Sequence, residues 1–422
     1  MKAIHMPKYI VKGGKKLHGS IQISGSKNAA LPILCATLLA KKPVTLKNIP
    51  NIADIHAMIS ILRTIGADIE YRDKTITVDT KNVKNQYISN EGKHCMRASI
   101  LLLGPLMARF KKAKMAFPGG CILGKRPVDT HLYALEALGA EVIDAKQDIE
   151  MKTDGLRGDD VVMSELSVTA TENAIMAAVT ARGKTIIRLA AAEPHVQDLC
   201  HFLNSIGADI TGIGTHTLVI NGVNSLQGGE YAITGDYLEA GTFIIAAVLT
   251  NGDVTVQGID PHHLDSFWQK LSEVGASYEL KDNAAHIKPH GTLKAVGQLR
   301  TAVHPSFPTD LQAPFAVLLT QAQGDSKIFE TLFDGRLNYL AELEKMGAKF
   351  EMLNPHQAII SGKTKLKGVP ISSWDIRAGA AMVLAALVAK GETEISNIGF
   401  IDRGYDNLEA KLQKLGAEIE RV

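Results

Sequence analysis

The pattern Leu-x-x-apolar-Gly-Ala recurs six times along this chain, with its glycine at Gly66, Gly139, Gly207, Gly275, Gly347 and Gly416. The intervals are 73, 68, 68, 72 and 69 residues. Near-constant spacing of this kind is the mark of a structural unit used repeatedly. Each instance ends an amphipathic stretch such as DNLEAKLQKLGA or DSFWQKLSEVGA and precedes an alternating one such as ADIEY or AEIER. The glycine therefore reads as the left-handed residue that stops a helix before a strand.

Upstream of each such helix lies a more apolar one: AALPILCATLLA, ASILLLGPLMA, ENAIMAAVTA, GTFIIAAVLT, PFAVLLTQA and AGAAMVLAALVA. A helix apolar on nearly all sides must be buried on nearly all sides. Between the two helices of each unit runs a strand, as in PVTLKNI, KTIIRLA or DVTVQGI. The repeat is thus strand, buried helix, strand, surface helix, strand, with further short strands between repeats. This is an α/β chain whose buried helices are walled by sheets and outer helices.

With 422 residues the chain is long enough for two substantial cores, so six units divide into three and three. The polar segment from Gly228 to Asp236 marks a crossover. We expect one domain from residues 27–234, carrying the Cys121 loop, and a discontinuous one from residues 1–26 plus 235–422. The N-terminal strand before Lys27 then pairs with the C-terminal half, and the active site is expected in the cleft between the domains.

Composition excludes several classes. The 46 Lys and Arg nearly cancel the 44 Asp and Glu, so no global field draws the protein to nucleic acid or a membrane surface. The N-terminus lacks the apolar core of a signal peptide, and the longest nearly pure apolar run, Ala378 to Ala389, is well under the roughly 20 residues of a membrane span. This reads as a cytoplasmic protein. Cys35, Cys95, Cys121 and Cys200 show neither C-x-x-C nor zinc-ligand spacing; Cys35 and Cys200 fall in helical apolar patterns and read as core. No metal is expected.

The starts of the buried helices differ from unit to unit although the scaffold does not: Lys27 and Asn28, Arg97, Ser167 to Glu172, Asp236 and Glu239, Asp310, then Asp375 and Arg377. Helix N-termini offer free N–H groups and partial positive charge, and with these cations they suit a phosphate or carboxylate. The turns after the second strands carry Asn51, Cys121 with Arg126, Glu193, Asp260 with His262 and His263, Asp334 with Arg336, and Asp402 to Gly404. Both sets belong to the same end of the units. Five arginines there (Arg97, Arg126, Arg336, Arg377, Arg403) fit a ligand with more than one anionic group, and a thiolate beside them would have a lowered pKa.

Beyond these patterns, SGSKNAALPIL, MRAS, PGGCILGKRPVDTH, RTAVHPSFPTDLQA, DIRAGAAMVLA and IDRGY closely resemble segments of the enolpyruvyl transferases that act on UDP-N-acetylglucosamine in peptidoglycan synthesis. The resemblance runs essentially end to end, with the motifs in a fixed order. It implies two inside-out α/β barrel domains, each of three βαβαββ repeats. It also implies transfer of an enolpyruvyl group from phosphoenolpyruvate to the sugar 3-hydroxyl with release of phosphate, by addition and elimination, with no metal or organic cofactor.

Carried over by residue, the resemblance implies that Lys27, Arg126 and Arg403 bind the donor phosphate, with Arg336 and Arg377 on its carboxylate. Asn28 and Asp310 would contact the sugar, Asp310 taking the hydroxyl proton, and Asp375 would help stabilise developing positive charge. Cys121 would be the general acid toward the methylene carbon. Arg97, Arg126, Pro127, Val128, Asp129 and His131, with Ser167 and Val168, would hold the uridine diphosphate. The chain departs from the family at Glu165, usually lysine; Thr169, usually glycine; Tyr237, where arginine is common; and His195, usually acidic. Glu165 and Thr169 motivate an alternative, the same transfer to a different nucleotide or nucleotide sugar.

Overall fold

The computed structural model describes residues 7–89, 96–119, 127–146 and 148–422. They form two compact units, one from residues 25–119 with 127–234 and one from residues 7–24 with 235–422. Each has its own hydrophobic core.

In the first unit the buried helices are Lys27–Ala36, Leu103–Phe110 extended at its front by a 3-10 turn at Arg97–Leu102, and Val168–Ala178. Three sheets accompany them among the described residues. Two share one plan. A leading strand runs parallel to the strand after the buried helix, and an antiparallel pair completes the sheet, as in Asp160–Val162 beside Lys184–Arg188, then Thr217–Asn221 and Asp209–Thr211. Parallel neighbours need a crossover connection, and between Asp160–Val162 and Lys184–Arg188 the buried helix Val168–Ala178 is that crossover. In the sheet of Lys112–Ala116, a parallel bridge from Ile88 to Met115 stands where the leading strand lies elsewhere.

The second unit repeats the plan around Tyr237–Leu249, Gln312–Thr320 and Ile376–Val388, three helices that pack against one another. In Ile376–Val388 every residue from Arg377 to Leu387 is buried, as its all-round apolar sequence requires.

Two N-terminal strands, rather than the single one expected, belong to this second unit. His18–Gln22 runs parallel to Asp253–Gln257, with His18 opposite Asp253, and so serves as leading strand for the helix at Tyr237. The strand directly before that helix, Gly229–Ala232, instead leads the first unit's sheet beside Val44–Lys47. The earliest strand, Tyr9–Lys12, lies between Glu392–Ser396 and Glu418–Arg421, antiparallel to both. Lys8 and Val422 exchange two backbone hydrogen bonds of 2.9 and 3.0 Å.

The six repeat glycines all adopt positive φ, between 89° and 108°, where a side chain would be strained. Each sets the direction in which the surface helix hands over to its outer strand. The starts of the buried helices carry varied residues, among them Lys27, Arg97, Asp236 and Asp375.

Candidate active site

In the second unit Asp310 is the centre of a charged cluster. It stands in the 3-10 turn Thr309–Leu311, just before the helix at Gln312. Its Oδ1 is 2.6 Å from Nη2 of Arg336, and its Oδ2 accepts from Nε of Arg377 at 3.0 Å. Both arginines are buried, each 5% exposed, so their charges need this partner. Burial opposes ionisation of Asp310, but the two guanidiniums, Arg377 foremost, outweigh it and hold the carboxyl well below the usual range. The guanidinium of Arg377 also lies over the Tyr405 ring, 5.3 Å from its centroid, and the Tyr405 hydroxyl is 2.9 Å from Thr242 Oγ1.

The other expected residues of this unit lie close in sequence to that cluster. Asp375 caps the helix Ile376–Val388, accepting from the N–H groups of Arg377 and Ala378 at 2.7 and 2.8 Å. It orients the stretch that bears Arg377. Arg403 ends the 3-10 turn Ile398–Arg403, two residues before Tyr405. Asp236 caps the helix Tyr237–Leu249 in the same manner as Asp375, and Tyr237 is buried edge-on to His263.

The first unit gathers three smaller constellations. Lys27, the first residue of its helix, makes a buried 2.8 Å ion pair with Asp54 in the first turn of Ala53–Thr64, and Asn28 follows it, half-buried. Arg97 donates from Nη2 to the Pro127 carbonyl at 3.0 Å, which ties the 3-10 turn to the segment Pro127–Val128 leading into the helix Asp129–Ala137. Asp129 is exposed in that helix's first turn, while His131 is 2% exposed.

His131 Nε2 is 3.1 Å from Thr169 Oγ1, and its Nδ1 is 2.9 Å from the Asn173 amide nitrogen. Burial, with Arg97 nearby, lowers its pKa from 6.5 to about 3, so the ring is neutral. Ser167 is the N-cap residue of Val168–Ala178, and both Ser167 and Val168 are half-buried. Glu165, exposed, accepts a hydrogen bond from Thr130 at 3.1 Å, and Thr130 in turn accepts from Ser164 at 3.2 Å. Two of the departures from the family pattern, Glu165 and Thr169, are thus anchored on Thr130 and His131, consecutive residues of one helix.

Cys121 and Arg126 lie outside the described residues, as does Cys95. Cys35 and Cys200 are buried as the core reading expects. Burial, with a further push from Glu172, drives both thiols up, Cys200 to about 12, so neither forms a thiolate near neutral pH. Glu172 itself is 1% exposed, and burial, reinforced by Glu193, raises its carboxyl well above the ordinary value. His195 is buried in the first turn of Pro194–Ser205.

Sequence reasoning missed Asp54, Thr130, Asn173 and Tyr405. Each carried a weak signal: Asp54 opens a surface helix, Asn173 interrupts an apolar stretch, Thr130 lies inside PVDTH and Tyr405 closes IDRGY. None declares its partner. Among the described residues no group of three or more potential ligands could hold a metal ion, and no helix is long and apolar enough to cross a membrane.

Comparison with known proteins sets this geometry in context. A family model described as EPSP synthase (3-phosphoshikimate 1-carboxyvinyltransferase) matches residues 11–412. A UDP-N-acetylglucosamine 1-carboxyvinyltransferase of Coxiella burnetii (strain Dugway 5J108-111) is 46% identical over 419 residues, covering 99% of this chain and 96% of its own. One of the same name from Acinetobacter baylyi is 43% identical over 418 residues, covering 99% and 100%. Among solved structures, the enolpyruvyl transferase NikO from Streptomyces tendae superposes with a TM-score of 0.89 at 24% identity, covering 99% of each chain. An EPSP synthase from Acinetobacter baumannii gives 0.76 at 20% identity, covering 99% of this chain and 100% of its own. These two structures share the two-domain α/β fold with this chain.

Proposed function

Since the chain belongs to the EPSP synthase family of carboxyvinyltransferases, we infer that it transfers the enolpyruvyl group of phosphoenolpyruvate to the 3-hydroxyl of UDP-N-acetylglucosamine, releasing phosphate. This is a step of peptidoglycan synthesis, and we assign it to the cytoplasm, the compartment of its phosphorylated small-molecule substrates. The acceptor is supported by relatives alike over nearly the whole chain and sharing that activity in their name. The observation in the site that carries the donor half is the fork of Arg336 and Arg377, which already grips a carboxylate, that of Asp310.

The proposed chemistry has two stages. In the first, Asp310 takes the proton of the sugar hydroxyl, whose oxygen bonds to C2 of the donor while Cys121 delivers a proton to the methylene carbon. In the second, the methyl group formed returns a proton and the C2–O bond to phosphate breaks, leaving the vinyl ether. Lys27, Arg126 and Arg403 neutralise the phosphate; Arg336 and Arg377 hold the donor carboxylate; Asp375 stabilises the cationic character that develops at C2. Asn28 orients the sugar. Arg97, Arg126, Pro127 to Asp129, His131, Ser167 and Val168 hold the nucleotide.

Asp310 in its two ion pairs is a weak base. A donor carboxylate shared with the same arginines would draw their charge away and raise the basicity of Asp310 as the reaction needs it. The test is phosphate release from phosphoenolpyruvate with UDP-N-acetylglucosamine, UMP and shikimate 3-phosphate as separate acceptors. Turnover with the nucleotide sugar is expected; turnover only with another acceptor would overturn the reading.

A further inference from the structure

Asn173 sits in the second turn of the buried helix Val168–Ala178, is fully buried and makes three hydrogen bonds to other segments. The Gly104 N–H donates to its Oδ1 at 2.7 Å. Its Nδ2 donates to the Ile100 carbonyl at 2.9 Å and lies 2.9 Å from His131 Nδ1. The contact at Gly104 admits no side chain, since a Cβ there would be 2.5 Å from the Asn173 carbonyl oxygen.

These bonds fix an orientation that hydrogen positions alone leave open. A backbone N–H can only donate, so the amide oxygen must face Gly104. The amide nitrogen, which can only donate, then faces Ile100 and His131. His131 Nδ1 must therefore accept, and the neutral ring carries its proton on Nε2, where Thr169 Oγ1 receives it.

We propose that Asn173 is a positioning residue for the acceptor half of the site, setting the tautomer and ring plane of His131 and bolting together the three segments that bear Arg97, Asp129 and Val168. The proposal rests on the reading of those residues as the nucleotide-binding set. It gives a function to a polar residue in a helix whose other interior positions are mostly apolar. It also links Thr169 to the ligand through a donor of fixed direction: the imidazole can present an N–H to Thr169 but no lone pair.

The experiment uses long-range 1H–15N spectra of the full chain, with the His131 signal assigned by its loss in His131→Gln. In the wild type the proton is expected on Nε2; a proton on Nδ1 would overturn the proposal without any further variant. Thr169→Val should leave the tautomer unchanged, because Asn173 sets it, and a changed tautomer there would also overturn it. Asn173→Asp replaces the donor by an acceptor and should move the proton to Nδ1, with KM for UDP-N-acetylglucosamine rising about tenfold while kcat and the donor KM stay within about twofold. An unchanged acceptor KM beside an inverted tautomer would refute the positioning role. Absence of wild-type turnover would instead sink the acceptor reading, and the spectra, recorded without substrate, would still decide the tautomer.

Discussion

Oδ2 of Asp310 lies 3.0 Å from Nε of Arg377, although 67 residues separate them in the chain, and Arg336 closes on the other carboxylate oxygen. Asp310 thus occupies the fork proposed for the donor carboxylate and competes with it. Asp310→Asn should therefore bind phosphoenolpyruvate about tenfold more tightly by calorimetry while kcat falls by a factor of at least about 100, the usual worth of a general base. Weaker donor binding in the variant would show that Asp310 assists the donor rather than competing with it.

Tyr405 gives the buried Arg377 a ring face in addition to its carboxylate. Removing that face in Tyr405→Leu should raise the donor KM roughly tenfold, in line with about 1–2 kcal/mol for a desolvated cation–π contact. Tyr405→Phe keeps the ring and loses the hydroxyl's contacts with Thr242 and with Arg377 itself, so its donor KM should rise less than that of Tyr405→Leu. Equal effects of the two substitutions would assign the role to the hydroxyl instead.

The Lys27–Asp54 pair is buried on both sides. Asp54→Asn should cost about 3 kcal/mol in urea unfolding, the typical penalty for breaking a buried ion pair by removing one of its members. The double variant Lys27→Met with Asp54→Leu should recover most of that loss. A double variant as unstable as the single one would place the cost in packing rather than in charge.

Glu172 makes stability depend on pH in a defined direction. Its folded-state pKa is raised above the ordinary 4.5 by burial and then by Glu193, so its contribution is fully present below pH 4.5 and lost as pH rises through the folded value. Glu172→Gln mimics the protonated form without the linkage. The Tm of the variant relative to wild type should therefore be near zero at pH 4 and increasingly positive toward pH 8, read by thermal unfolding; a difference independent of pH would mean that Glu172 is not buried as the acid.

Cys121 is tested by chemistry. The epoxide antibiotic fosfomycin, an alkylating agent for an activated thiol, should add one adduct to the wild type by mass spectrometry and none to Cys121→Ser. An adduct retained in the variant would move the reactive thiol elsewhere.

Much of the fold was legible because its rules are local. The six glycines had to be helix stops, and apolar runs such as AGAAMVLAALVA had to be interior. The two leading strands were less legible: His18 pairs beside Asp253 and Gly229 beside Val44, parallel partners that no turn sequence announces. In the site, the residue types could be read, and so could the charge of Asp310, Arg336 and Arg377. Their mutual ion pairing could not, since the residues come from different segments of the chain and only packing sets their distances. Asn173 was hidden for a related reason: an asparagine in an apolar helix means little until Gly104, Ile100 and His131 are placed around it.

The pairing of the first strand with the last sheet also bears on the order in which the protein can be made. Among the described residues, all the strands of the first unit's three sheets lie within residues 25–234, so that unit can fold as it leaves the ribosome. Tyr9–Lys12 must wait for partners near the far end of the chain; the ion pair from Lys8 is to Glu394, 386 residues later. The second unit is therefore begun first and finished last.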